Sequence, residues 1–257
     1  MLFAMDSISS SYLILNDLLF GRVFMYIPQL CPIVSPYFYA PSITLKIIHV
    51  FHHHARFAKS VAQTFMVLNR MTCVLLPATY NTIWKCLTPV ACFLVYTLPF
   101  AGLWNIIISR QYLIPFRGGF GINYIKAVPW AALSMFQAIF VLIALTSTVI
   151  CTTVTLYKLI LLPGRLRSIE KSLCLTSLSI SITFLLVAVT QLLFAFCPSC
   201  VGEPLYLYQL LAFDLYSVGS AVIMIVTNKH LRNSIFSKNT TKGTRSNTVS
   251  VVVRSSG

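Results

Sequence analysis

Leu68-Asn69-Arg70-Met71-Thr72-Cys73-Val74-Leu75-Leu76-Pro77 is the stretch that decides the fold. One arginine sits in an otherwise apolar helical run just before the chain turns polar. That is how a membrane helix meets the cytoplasmic headgroups, with the arginine stem along apolar surface and the guanidinium in water. Traced back toward the N-terminus, the helix can start at Ser42 and end near Leu76. It is longer than the roughly 20 residues a bilayer needs, so it tilts or protrudes. Its middle carries Lys46, His49, His52, His53, His54, Arg56 and Lys59. The rest of the chain is expected to pack around it.

The composition requires that setting. Of 257 residues, 57% are hydrophobic and only 9% charged, against about 25% charged in ordinary soluble domains. Mean hydropathy is +0.82. So much apolar surface cannot be hidden in a water-soluble core, and the chain reads as a polytopic, all-α transmembrane bundle. Lys and Arg outnumber Asp and Glu by 19 to 5. Most of the excess falls in short connections and the tail, which makes it a topology signal and not a nucleic-acid footprint. The eight cysteines show no paired zinc spacing. Met1 leads without a basic segment into a weakly apolar stretch carrying Asp6 and Asp17, so no cleavable signal peptide is expected.

Six spans are predicted. Residues 1–27 form one, with Asp6, Asp17 and Arg22 inside it; the long helix above is the second. Residues 88–108, 127–157 and 172–197 contain no Asp, Glu, Lys or Arg, and residues 204–228 contain only Asp214. Each exceeds the length needed to cross. The connection 28–41 holds four prolines, Cys31 and no Lys, Arg, Asp or Glu, as an external loop would.

Loop charge sets the orientation. With the turn at 69–87 inside, the inner segments hold 12 Lys and Arg, and the outer ones hold three, Arg110, Arg117 and Lys126. The positive-inside rule then makes the C-terminus cytoplasmic, and six spans put the N-terminus inside as well. After Asn228, Leu231, Ile235 and Phe236 share a face beside basic neighbours, suiting a helix on the inner membrane surface. The bundle and this helix make up residues 1–236; residues 237–257 are a disordered cytoplasmic tail. The sequon Asn239-Thr240-Thr241 then lies in the cytosol, unmodified.

In this order, several stretches resemble the nematode serpentine receptor class gamma (Srg) chemoreceptors. They are Leu68-Asn69-Arg70-Met71-Thr72 with Tyr80-Asn81-Thr82-Ile83-Trp84, Ser109-Arg110-Gln111-Tyr112 with Pro115-Phe116-Arg117-Gly118-Gly119-Phe120, and Ala127-Val128-Pro129-Trp130-Ala131. Leu162-Pro163-Gly164-Arg165-Leu166, Gln191-Leu192-Leu193-Phe194 and Ala212-Phe213-Asp214 continue the match in register. The resemblance implies a bundle of the G-protein-coupled receptor type, with six spans present of an expected seven and the first span here matching the family's second. It implies a multi-pass protein of the plasma membrane of sensory cells, whose partners are the lipid bilayer, a small-molecule ligand and a heterotrimeric G protein, with no nucleic acid. For Asn69 and Arg70 it implies a switch facing the G protein; the plain alternative is an arginine that anchors a helix end.

The cationic cluster from His52 to Lys59 lies 11 to 18 residues outward of Arg70, roughly 16 to 27 Å at helical rise. Unpaired charge at that depth is costly, so partners are demanded. Asp17 and Asp214 reach a depth near that of Lys59. We therefore expect Lys59 to pair with one of them, and His52, His53 and Arg56 to line a cavity for anionic or hydrogen-bond-accepting ligands. The bland alternative is a water-filled vestibule. Cys31, Cys197 and Cys200 sit in outer connections where a disulfide can form. No catalytic or cofactor constellation is evident: His49 and His53 have metal-ligand spacing, but there is no second histidine cluster and the acids are few. A transporter and a truncated, non-signalling receptor relative are the remaining alternatives; no internal repeat or broken helix pair supports the first.

Overall fold

The structure is a computed structural model that describes residues 1–23, 27–34, 36, 42–116, 119–161, 168–197, 199 and 202–227. The chain begins with α1 (Leu2–Asn16), which continues without a break into a π-helical segment, Asp17–Arg22. After a 3-10 turn (Pro28–Leu30) and a short α2 (Cys31–Val34) comes α3 (Ile43–Leu75). Then follow α4 (Tyr80–Thr97), α5 (Phe100–Ile108), β1 (Arg110–Phe116), β2 (Gly119–Ile125), α6 (Leu133–Leu161), α7 (Ser168–Phe196) and α8 (Glu203–Thr227). The expected surface helix and tail, residues 229–257, lie outside the described residues.

Helix α3 is the pillar, touching α1, α4, α5, α6, α7 and β1. Its start is where the sequence puts it: the Ser42 side chain accepts a hydrogen bond from Leu45 N at 3.1 Å, the N-cap that a serine before an apolar run supplies. Val67 joins Val141, Ile180, Phe184, Phe213 and Tyr216 in one apolar cluster shared with α6, α7 and α8. Ala58, Ala62 and Met66 pack on Leu2 and Met5 of α1 and on Trp84, Ala91 and Val95 of α4. The opposite faces of the outer helices leave Phe93, Ile143, Ile182 and Leu211 exposed, the pattern of a bundle solvated by lipid.

By length and composition, three helical stretches are apolar enough to cross a membrane: Tyr80–Ile108, Leu133–Leu159 and Leu175–Phe196. The first is α4 and α5 taken together, two helices joined at Leu98 and Pro99. At the join Gly102 admits the aromatic ring of α3: a Cβ there would lie 3.1 Å from Phe57 Cζ, and Phe57 is itself edge-on to Phe140 at 4.7 Å.

Two sequence expectations are corrected. The fold is mostly helical and not all-α, because residues 110–125 form an antiparallel hairpin, Arg110 opposite Ile125 and Phe116 opposite Gly119. Gln111, Leu113 and Phe120 turn inward, and Leu113 and Phe120 cover Leu45 of α3. The helix expected from residue 127 starts instead at Leu133, because the Asn105 side chain holds the preceding turn open. Its amide nitrogen donates to Val128 O at 3.3 Å and Ala131 O at 2.5 Å, and its oxygen accepts from Val128 N at 3.2 Å.

Candidate functional site

Three ionic groupings follow α1 and its π segment, two of them facing α3 and the third α8. The deepest is Lys59, 0% exposed, whose Nζ donates to Asp6 Oδ1 at 3.0 Å and Ser10 Oγ at 2.5 Å. Lys59 is therefore matched by Asp6, not by Asp17 or Asp214 as its depth suggested. The reason is the antiparallel packing of α1 on α3, which sets the start of α1 against the inner half of α3. The Tyr216 ring lies 5.4 Å from Lys59 Nζ, and its hydroxyl lies 2.8 Å from Ser60 Oγ while donating to Arg56 O at 3.2 Å.

Outward of this, Asp17 Oδ1 faces Arg56 Nη2 and His52 Nε2, each at 3.5 Å. The Arg56 guanidinium also lies over the Phe213 ring at 3.9 Å, a cation on the negative face of an aromatic ring. The third grouping pairs Arg22 with Asp214. Thus Arg22, Arg56 and Lys59 each have a carboxylate. The anionic or hydrogen-bond-accepting ligand expected from the sequence would therefore meet cations that already face a carboxylate.

Winding brings Asp17 and Arg22 to one side. On an α-helix, residues five apart lie about 140° around the axis at 3.6 residues per turn. The π segment, closed by Val23 N to Leu18 O, stacks residues five apart. Both side chains then border a cavity of about 470 Å³ between α1 and α8, lined also by Ile14, Leu18, Asp214, Leu215, Ser217, Val218, Gly219, Val222 and Ile223. Of the expected ligand residues, Asp17 and Asp214 border this cavity. His52 and Arg56 stand behind Asp17, and His53 stands farther back.

The histidines form their own cluster. His53 is edge-on to His49 at 4.6 Å and to His52 at 5.2 Å. His49 Nε2, His52 Nδ1 and His53 Nδ1 are buried without a hydrogen-bond partner among the described residues, as are both polar atoms of Gln63. Such atoms mark places for water or another polar guest. Among the described residues, no three of His, Cys, Asp and Glu are arranged to hold a metal ion.

At the inner end of α3, Arg70 Nη1 donates to Ser177 Oγ of α7 at 3.2 Å, and its guanidinium lies 5.9 Å from the Phe3 ring. Asn69 Oδ1 accepts from Tyr80 OH at 3.1 Å, while Trp84 Nε1 donates to Thr72 Oγ1 at 2.6 Å. The ends of α3 and α4 are thereby tied together. At the other end of the molecule, Tyr124 OH accepts from Leu133 N at 2.9 Å, and burial pushes its phenol above the ordinary range. Cys31 packs beside Leu45, Leu113 and Phe120. Cys197 is disulfide-bonded, and Cys200 lies outside the described residues.

A sequence profile for the Srg family chemoreceptors matches residues 1–235. This chain belongs to the Srg family. Among its relatives in Caenorhabditis elegans, serpentine receptor class gamma-17 is 60% identical over 236 residues, covering 92% of this chain and 74% of the relative. Class gamma-16 is 53% identical over 233 residues, covering 90% and 72%. Class gamma-15 is 51% identical over 236 residues, covering 91% and 74%. The match takes in the ionic groupings, the α1–α8 cavity and the Arg70 end of this Srg chain. It thus spans every candidate site described above.

Sequence reasoning missed Asp6, Ser10, Ser177 and Tyr216 as site partners. Asp6 was visible as an ionisable residue in a span. Ser10 lies one turn beyond it, on the same face. Ser177 and Tyr216 carry no sequence signal of their own, since their partners lie on a distant helix.

Proposed function

We propose that this Srg chain is a chemosensory receptor that binds a small-molecule cue within its helical bundle and signals to a heterotrimeric G protein from its cytoplasmic face. Its six helical passages are α1 with its π segment, α3, α4 with α5, α6, α7 and α8. Both ends of the chain face the cytoplasm, and the setting is the plasma membrane of sensory cells. Three of the passages meet the apolar requirement outright. Asp6 and Asp17 meet Lys59 and Arg56 of α3, and Arg22 meets Asp214 of α8, which lowers the cost of placing these charges in a bilayer.

The observation that carries the reading is the arrangement along α3. One helix holds Arg56 and Lys59, each facing an acid of α1 or its π segment, near its middle and Arg70 at its inner end, where the guanidinium is tied across to Ser177 of α7. A cue that moves α1 against α3 acts on the same rigid element whose far end bears Arg70. Releasing Arg70 from Ser177 frees a cation for the G protein, the population-shift logic of a two-state switch.

The test is nucleotide exchange on a heterotrimeric G protein in membranes containing the full chain. Ser177→Ala is expected to raise basal exchange by removing the restraint, and Arg70→Ala to lower it to the level of empty membranes. Equal exchange for wild type and both variants, at equal surface expression, overturns the reading.

A further inference from the structure

The cavity between α1 and α8 has the size of a small-ligand site, about 470 Å³, within the 300 to 1,000 Å³ typical of such sites. Its wall is apolar except for Asp17, Arg22, Asp214 and Ser217. What the ligand must carry follows from which of these polar groups is already satisfied. Arg22 is engaged by Asp214, and of the two cations behind the wall Lys59 is hydrogen-bonded to Asp6 and Ser10 while Arg56 lies over the Phe213 face with Asp17 in a long ion pair at 3.5 Å. Each of these three cations thus has a carboxylate within ion-pair distance.

Asp17 is different. Arg56 and His52 both approach the same oxygen, Oδ1, at 3.5 Å, beyond the 2.7 to 3.2 Å of a hydrogen bond. Among the described residues no hydrogen bond reaches this carboxylate. A carboxylate at this depth with only long ion-pair contacts lacks donors, and it borders the cavity. Asp214, engaged through Oδ1 alone, borders the same space. An ammonium group offers three donors and a positive charge, the complement of a carboxylate short of donors.

We propose that this cavity is the binding site for a small primary amine, its ammonium on Asp17 and Asp214 and its apolar body on Ile14, Leu18, Leu215 and Val218. The inference rests on the reading of the chain as a small-molecule receptor and narrows it to a ligand class. The π segment gives the site its geometry, because it keeps Arg22 on the cavity side, where the guanidinium holds Asp214 in place for the incoming cation.

The experiment uses the full chain in nanodiscs of phosphatidylcholine, a lipid without a primary amine, and measures calorimetric binding of benzylamine, benzyl alcohol and benzoate at neutral pH, with empty nanodiscs subtracted. Benzylamine is expected to bind at least about tenfold more tightly than the other two. Asp17→Asn is expected to weaken benzylamine about tenfold and leave benzyl alcohol unchanged. Because Asp17 also faces Arg56 and His52, Leu18→Trp is the companion variant: Leu18 is exposed and in no ion pair, and an indole there fills the cavity. It is expected to abolish benzylamine binding while the chain keeps its elution profile and thermal midpoint.

Equal or tighter binding of the alcohol or the benzoate overturns the amine assignment. So does benzylamine binding that survives Leu18→Trp, and so does no binding by any probe. None of these outcomes touches the basal exchange assay on Arg70 and Ser177, so a failed ligand class and a failed receptor reading are told apart.

Discussion

Lys59 shows what a single buried charge imposes on its surroundings. It is 0% exposed, and the donors of its ammonium must be taken up inside the protein, which Asp6 and Ser10 do. Removing one partner leaves the other charge buried and uncompensated, at a cost of about 3–5 kcal/mol. Lys59→Met and Asp6→Leu are each expected to lower the thermal midpoint of the detergent-solubilised chain substantially. The double variant, which replaces the pair by apolar groups, is expected to recover most of that loss, because burying a pair of charges contributes little net stability over a well-packed apolar pair. A double variant as unstable as the sum of the singles would show that the two residues act separately. From sequence, the need for partners was legible in the depth of the cluster. Their identity was not: choosing Asp6 over Asp17 requires the register of α1 on α3, and two acids eleven residues apart look equivalent until that register exists.

At the scale of elements, the informative sites are where regular winding gives way. The π segment of α1 places Asp17 and Arg22 together, a juxtaposition that α-helical periodicity applied to the same residues denies. The joint between α4 and α5 allows the close approach of Gly102 to Phe57. Phe57 is buried and braced edge-on against Phe140, so it has no room to yield. Gly102→Val is therefore expected to destabilise the chain by about 1–3 kcal/mol through overpacking, more than any gain in helix propensity over glycine returns. The check is the thermal midpoint of that variant, with Phe57→Leu added as a relieving change that restores part of the loss. The inward residues of the hairpin, Gln111, Leu113 and Phe120, alternate along the strands but not in polarity, so a reading by polarity treats residues 109–126 as loop. Whether the alternation is realised depends on β1 finding Leu45 of α3 beneath it, a contact remote in sequence.

For the molecule as a whole, the central question is how the bundle lies in the membrane. The proposed orientation places the turn between α3 and α4 inside and the β1–β2 hairpin outside. Acceptor insertion checks it. A short polar insertion carrying an Asn-X-Thr acceptor directly after Lys126 is expected to be glycosylated in microsomes. The same insertion at residues 77–79 is expected to stay unmodified, as is the native Asn239-Thr240-Thr241. Glycosylation of the inner insertion, or of Asn239, would invert the topology and remove Arg70 from the cytoplasmic side. The arrangement also shows why ions tolerate this bundle: Arg22, Arg56 and Lys59 meet Asp214, Asp17 and Asp6 along α1 and its π segment, and lipid meets mainly apolar side chains.

Composition, charge placement and motif order, all present in the sequence, determined the family, the helical membrane character, the long central helix with its Ser42 cap and the expectation that the buried cations have partners. These properties are local or additive. A bilayer imposes its length on each apolar run separately, a cap is settled within one turn, and loop charges sum without reference to packing. Tertiary structure alone decided which acid meets which base, that Asp17 is left short of donors, that Arg70 reaches Ser177, and that a cavity opens between α1 and α8. Those depend on the relative rotation and register of helices that are distant in the chain. A shift of one residue turns a side chain about 100° around its axis, enough to exchange a buried partner for a lipid-facing one.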